Sequence, residues 1–444
     1  MAGALHRYAP RKTGSAKGPV DRNVEMTFGA IMVMIVAVFF LSRIGYVAEF
    51  PLPIALAVVP LVIAWMLAHK QAEISLGRLA LFMVVLACAM MSLLLADPNS
   101  SQTSVQLFVL LYAMFIAPVS LDHASFIRYF RLIANVASIL CILGAVQYLT
   151  QFLFLTEFHF SWRTIVPPDF LLEYNTLNET QWGSGIYKGN GFFLLEPSHL
   201  SQVGSRALLL AIFILKDPKY IVPIGLGLVT SYSGTGMVLV AFFGAIPFLA
   251  LIFADNRYSR FAIAGVMLAL AGAMIFWEQL NLGMLLGRTA EFSDPRSSGF
   301  ARFTAGGLMF QNFIENKPLT LLFGAGPGMA EIYTQLDEVT EAFASAWIKL
   351  LVEYGILGFT AFSAFYLYCV YTTTRSAWLA LAFYFQFMVL DGGLLVPQLA
   401  FAALMMGCLV RLKPAPQQTP PLPTGGGPSL SRAQPSQANP LTGS

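Results

Sequence analysis

The chain has 444 residues, of which 57% are hydrophobic and 11% charged, with mean hydropathy +0.68 and net charge +3. Soluble domains carry about 25% charged residues, so the composition excludes a water-soluble globule and predicts an all-α polytopic membrane protein. The small net charge gives no reason to expect a nucleic-acid partner.

Residues 1–25 are polar and basic, and the first apolar run has no small-residue cleavage pattern after it, so it is expected to remain as a span. A spanning helix needs roughly 20 apolar residues. Hydropathy predicts about twelve spans, near 26–42, 51–68, 79–96, 105–121, 132–154, 197–215, 220–232, 235–254, 261–277, 351–372, 376–392 and 394–410. The seventh is short, and Ser231-Tyr-Ser-Gly-Thr235 separates it from the eighth, which predicts a broken or re-entrant pair.

Lys/Arg bias orients these spans. One side carries Arg7, Arg11, Lys12, Lys17, Arg22, Lys70, Arg78, Arg128, Arg131, Lys216, Lys219, Arg257, Arg260, Arg375, Arg411 and Lys413. The short turns 97–104, 231–235 and 391–393 on the other side carry no Lys or Arg. Both termini are therefore expected in the cytoplasm. The chain reads as a basic N-terminus (1–25), a membrane domain (26–410) and a tail (411–444). The tail is rich in Pro, Gly, Ser and Gln and is expected to be disordered. Two larger outer loops, 155–195 and 278–350, interrupt the membrane domain, and the second is expected to be partly helical.

Cys88, Cys141, Cys369 and Cys408 lie inside apolar runs and read as buried hydrophobes rather than disulfides or metal ligands. The histidines are scattered, and no acidic motif is arranged for a metal, so neither metal nor other cofactor is expected.

The first outer loop holds His159, Trp162, Arg163, Asp169, Glu173, Asn178, Glu179, Trp182 and Lys188. Aromatic and amide side chains together suit sugar rings; an interfacial aromatic belt is the alternative. Next comes Glu196-Pro-Ser-His199-Leu-Ser-Gln202. At about 100° per residue, Glu196, His199, Gln202 and Arg206 share roughly a third of the helix circumference. Arg206 lies about two turns inside its span, where an ionisable group faces a cavity or a partner. A Glu–Arg pair that fixes helix packing is the alternative.

The second outer loop holds Arg288, Glu291, Asp294, Arg296, Arg302 and Lys317, then Gly324-Ala-Gly326-Pro-Gly328. Three arginines so close in sequence fit a clamp for a diphosphate; local pairing with Glu291 and Asp294 is the alternative. The glycines predict a tight turn against substrate or a helix. Lys349 and Glu353 are spaced to pair on one helix face. Asp391, at an outer hairpin, either lines the same cavity or marks the turn.

Four stretches carry a resemblance to a known family. Leu194-Leu-Glu196-Pro-Ser-His199-Leu-Ser-Gln202, Ser233-Gly-Thr235-Gly236, Pro318-Leu-Thr-Leu-Leu-Phe-Gly324-Ala-Gly326-Pro-Gly328 and Leu351-Val-Glu353-Tyr-Gly355-Ile-Leu-Gly358 are similar, in this order, to segments of the O-antigen polymerase/ligase superfamily. They cover roughly residues 190–360. The ligase branch carries an essential His just before the span that here begins near Lys349, where this chain reads Glu341-Ala-Phe-Ala-Ser345-Ala-Trp347. The resemblance is therefore to the polymerase branch.

That resemblance implies a glycosyltransferase of the bacterial inner membrane, active at its periplasmic face. It would polymerise undecaprenyl-diphosphate-linked oligosaccharide repeat units into exopolysaccharide, O-antigen or capsule. A chain-length regulator and export proteins are the implied partners. Within this scheme Arg288, Arg296 and Arg302, with Arg206, are the expected diphosphate-binding and leaving-group residues, and Arg163 and Lys188 further substrate contacts. Glu196 is the expected general base, with His199 as its substitute or orienting partner. The alternative is a transporter or flippase of lipid-linked oligosaccharide. Against it, such carriers divide into similar halves joined by a central cytoplasmic link, whereas the long segments here are both external.

Overall fold

The computed structural model describes residues 22–47, 51–95, 98–153, 162–163, 165–173, 176–180, 183–245, 300, 304–316, 320–330, 332 and 344–413. The basic residues 1–21, the predicted span 261–277, the tail after Lys413, and Arg288, Arg296 and Arg302 lie outside the described residues. The chain divides into a body, Met1–Leu412, and the segment Lys413–Ser444.

Helices fill most of each predicted span that is described. They are α1 (Arg22–Phe40), α2 (Ile54–Ala68), α3 (Leu76–Leu95), α4 (Gln102–Ile116), α5 (His123–Thr150), α6 (Pro197–Leu215), α7 (Ile221–Thr230) and α8 (Gly234–Gly244). After α9 (Ala305–Asn316), in the second long loop, come α10 (Ala346–Thr374), α11 (Ala377–Leu390) and α12 (Pro397–Gly407). Among the described residues five helices, α1, α3, α5, α6 and α10, are long and apolar enough to cross a membrane. The molecule is thus a helical membrane protein.

Helix α7 has only 10 residues, about half of what a bilayer core requires. It ends at the Ser231–Ser233 interruption, where Tyr232 turns left-handed with φ 45°. Two short ribbons complete the body. β1 (Gly45–Tyr46) pairs antiparallel with β2 (Leu52–Pro53), and β3 (Val119–Leu121) pairs parallel with β4 (Val410–Leu412). Arg411 and Leu412 therefore pair within the body.

The core sits around α6, in which every residue from Pro197 to Leu210 is buried. A helix without a lipid-facing side needs small residues where neighbours approach. Gly204 on α6 and Gly236 on α8 supply them: a Cβ at Gly204 would press on the Cys141 sulfur at 3.1 Å, and one at Gly236 would collide with Ser201.

Helix ends gather at two poles. At one pole Arg78 is buried, has no carboxylate partner among the described residues, and donates to the carbonyls of Phe115 (3.0 Å), Cys408 (2.6 Å) and Cys369 (3.1 Å). Phe115 and Cys408 lie at the C-terminal ends of α4 and α12, where carbonyls carry partial negative charge, and Cys369 in the penultimate turn of α10, so one guanidinium ties three helices together. Arg411 pairs with Glu73 at 2.6 Å and Arg128 with Glu25 at 2.7 Å at the same pole. The opposite pole holds the described parts of both long loops, where Arg43 meets Phe192 and the Ser101 amide meets the Pro327 carbonyl at 2.8 Å.

Candidate functional site at the loop pole

Glu196 is the N-cap of α6, with extended φ −131°, and Pro197 occupies the first helical position, where no amide donor is needed. Its carboxylate is partly exposed and accepts a 2.7 Å hydrogen bond from the Ser198 hydroxyl. His199 is buried, 7% exposed, one turn into the helix.

The segment leading to Glu196 is held by side chains from α5 and from the residues that follow α1. Gln147 of α5 accepts from the amides of Asn190 (2.9 Å) and Gly191 (3.1 Å). Asn190 Oδ1 accepts from the Phe192 amide, and Arg43, just past α1, donates to the Phe192 carbonyl at 3.2 Å. Ser42 donates to the Phe193 carbonyl. Gly191 and Phe192 are both left-handed, with φ 74° and 65°. For phenylalanine that conformation costs about 1–2 kcal/mol, and it persists because the surrounding hydrogen bonds fix it.

Arg43 is fully buried, and its guanidinium lies 5.0 Å from the centre of the Trp162 ring, which itself packs edge-on to Phe193. Burial pulls its pKa down to about 10, against the opposing pull of Glu173. It remains a cation at neutral pH. Arg163, by contrast, is an exposed residue paired with Glu173 at 2.6 Å. Lys188 is half-buried, and its amide donates to the Asn178 carbonyl at 2.8 Å.

Arg206 lies ten residues beyond Glu196 on α6, about 15 Å along the axis at roughly 1.5 Å per residue. Its partner is Asp391, at 2.7 Å, with both side chains buried. The two ends of the polar face are therefore separate places. Around the deeper one, Gln386 donates to the Gln202 carbonyl (3.2 Å) and the Ser205 hydroxyl (3.4 Å), and the Asp391 carbonyl accepts from the Ala346 amide. Among the described residues, Arg206 Nε and Nη1, Gln202 Oε1, Gln386 Oε1 and Ser345 Oγ are buried without a hydrogen-bond partner.

The glycine-rich stretch packs against a helix. Helix α10 breaks at Gly355, φ 68°, and residues 321–326 enter the break. The amides of Ile356 and Leu357 donate to the Leu321 (3.0 Å) and Leu322 (3.2 Å) carbonyls, while those of Ala325 and Gly326 donate to Val352 (2.8 Å) and Glu353 (3.1 Å). A Cβ at Gly355 would collide with the Leu322 carbonyl, and one at Gly324 with that of Glu353. Lys349 lies 3.6 Å from the buried carboxylate of Glu353, so the predicted pair is present. The Ser233–Gly236 turn packs on α6: the Gly236 amide donates to Ser201 Oγ at 3.0 Å, and that hydroxyl donates to the Ser233 carbonyl.

Each of the four noted stretches thus touches another buried element at this pole or beside α6. Sequence reasoning missed Arg43, Gln147, Asn190 and Gln386. Arg43 carried a signal, being an arginine at the end of the first predicted span that the charge bias of the other loops assigns to the outside, where the positive-inside rule disfavours it. Gln147 and Gln386 carried one too, as polar groups inside predicted spans; Asn190 carried none. Among the described residues no group of three His, Cys, Asp or Glu side chains is placed to hold a metal.

No family model matches the chain, and no curated protein matches it.

Proposed function

We propose that the protein is a bacterial inner-membrane glycosyltransferase that polymerises undecaprenyl-diphosphate-linked oligosaccharide repeat units. The observation carrying this reading is the polar face of α6, which runs from a partly exposed carboxylate to a buried arginine in a helix closed to lipid. Ionisable groups at such depth are costly unless they face a partner or a cavity. Orphaned polar atoms around Arg206 point to water or substrate beside it.

The twelve-span arrangement, with both termini cytoplasmic and the loop pole periplasmic, belongs to the same proposal. Short-loop Lys and Arg residues collect at the Arg78 pole, as the positive-inside rule requires of the cytoplasmic side. The resemblance to O-antigen polymerases supports the substrate class.

In the reaction, the acceptor hydroxyl oxygen attacks the anomeric carbon of the donor and its proton passes to Glu196. The anomeric carbon–oxygen bond breaks, and the electron pair leaves with the diphosphate of the carrier lipid. His199, one turn inward, orients Glu196 or replaces it as base. Arg288, Arg296 and Arg302 stabilise the leaving diphosphate. Helix α9 begins three residues after Arg302, and its Gly306 lies against Ile348 and near Ser345, at the start of α10. Arg206, already engaged by Asp391, meets the diphosphate only if Asp391 releases it. Arg163, exposed and paired, and Lys188 serve as outer contacts to the glycan.

Reconstitution of the purified protein with a defined lipid-linked repeat unit tests the reading. Appearance of long polymer supports it. Movement of the intact lipid across the bilayer without polymer establishes the second reading, a flippase, which the broken helices at Tyr232 and Gly355 favour.

A further inference from the structure

The starts of α1 and α5 enclose a groove lined by Phe28, Gly29, Met32, Arg128, Arg131 and Leu132. It lies at the Arg78 pole, far in sequence from the residues assigned to catalysis. Its mouth is cationic. Arg128 is fixed by a two-pronged hydrogen bond to Glu25 (2.7 and 3.2 Å) and by stacking 4.2 Å from the Phe28 ring. Arg131, one turn further along α5, is exposed, and no hydrogen bond or ion pair engages it among the described residues. Glu25 offsets one of the two arginines, so the mouth keeps a net positive charge.

Below the mouth the groove is mainly apolar, and the amide that also lines it, Asn135, already accepts from the Tyr220 hydroxyl at 3.0 Å. Met32 is 41% exposed and the neighbouring Val33 51%. The floor is open at Gly29, where an added Cβ would meet no atom within 4 Å. Both helices are long and apolar enough to cross a membrane, and both start here, which puts the arginines at headgroup depth and Met32 among acyl chains. A soluble anion would match the mouth but has no use for the apolar course beneath it. A neutral lipid would match the course and leave Arg131 unneutralised.

We propose that this groove is a binding site for an anionic phospholipid, with its phosphate on Arg131 and Arg128 and one acyl chain over Gly29 against Met32 and Leu132. Basic pockets between membrane helices take phosphate headgroups through charge-assisted hydrogen bonds. The site is independent of the proposed polymerase chemistry.

The test uses the purified full-length protein, delipidated in detergent, with retained lipid counted by native mass spectrometry. Wild type is expected to hold phosphatidylglycerol in preference to phosphatidylcholine. Arg131→Gln, an exposed change, is expected to weaken retention about fivefold. Gly29→Leu leaves both arginines in place, fills the floor, and is expected to weaken retention similarly. Equal retention of the two lipids by wild type would overturn the proposal, as would wild-type retention in either variant. Displacement of the lipid by inorganic phosphate would overturn it too, by reassigning the mouth to a free anion.

Discussion

The Nη2 atom of Arg206 lies 2.7 Å from Oδ2 of Asp391, joining the centre of α6 to the turn between α11 and α12 where neither side chain reaches solvent. Removing one member of a buried pair strands the other charge, at a cost of about 3–5 kcal/mol, whereas an apolar replacement of both is often neutral. Arg206→Met or Asp391→Asn alone is therefore expected to lower the thermal unfolding midpoint sharply in detergent. The double variant R206M/D391L is expected to recover most of that loss. Its activity separates two roles: a folded, inactive double variant assigns Arg206 to substrate, and an active one makes the pair a fastener.

Glu196 is open to a cleaner test, because its surroundings do not depend on its charge. The backbone leading to it is held by Gln147, Asn190, Arg43 and Ser42, and Ser198 donates to its carboxylate. Glu196→Gln keeps an acceptor for Ser198, so the fold should be unchanged in unfolding scans. Loss of a positioned general base should lower polymer formation by roughly 10²–10⁴-fold. Unaltered turnover in that variant would remove Glu196 from the mechanism and leave it as a helix cap.

Hydropathy made the helices legible, because a bilayer forces apolar runs to become helix. The pairing of Lys349 with Glu353 was legible for the same local reason. Long-range partners were not. Nothing local in the sequence ties Arg206 to a residue 185 positions away, and the shared helix face pointed instead to Glu196. Nor does spacing reveal that residues 321–326 fill the break at Gly355, since threading one segment through another helix is set by tertiary packing. Arg43 and Gln147 escaped because buried side chains that serve backbone carbonyls and amides follow no spacing rule.

The threaded break gives a further expectation. Gly355 is left-handed, and its neighbours' amides are already committed to the Leu321 and Leu322 carbonyls. Alanine there adds about 1–2 kcal/mol of conformational strain, and its methyl group collides with the Leu322 carbonyl. Gly355→Ala should therefore destabilise more than Gly307→Ala, at a helical site with open space around it. The comparison is read from denaturation midpoints of the two variants. Equal midpoints would mean that the loop can leave the break at little cost.

For the arginine-rich loop, the expectation rests on sequence and on the leaving-group chemistry. Arg288→Ala and Arg302→Ala should each abolish long polymer while single repeat units still accumulate on the carrier lipid. Gel profiles of the extracted glycan distinguish this from loss of the protein, which immunoblotting tracks. Chain lengths equal to wild type in both variants would remove the clamp from the mechanism.

Topology is testable without substrate. Cysteine introduced at Phe160 or Thr320, in the two long loops, should react with an impermeant maleimide in intact cells. At Lys219, at the Arg78 pole, it should react only after the membrane is opened. The native background is low, because Cys141, Cys369 and Cys408 are buried and Cys88 is only partly exposed within α3. Reaction at Lys219 from outside would invert the orientation and place Glu196 in the cytoplasm. There a periplasmic polymerisation could not use it, so the sidedness of these three positions decides whether the proposed chemistry has access to its substrate.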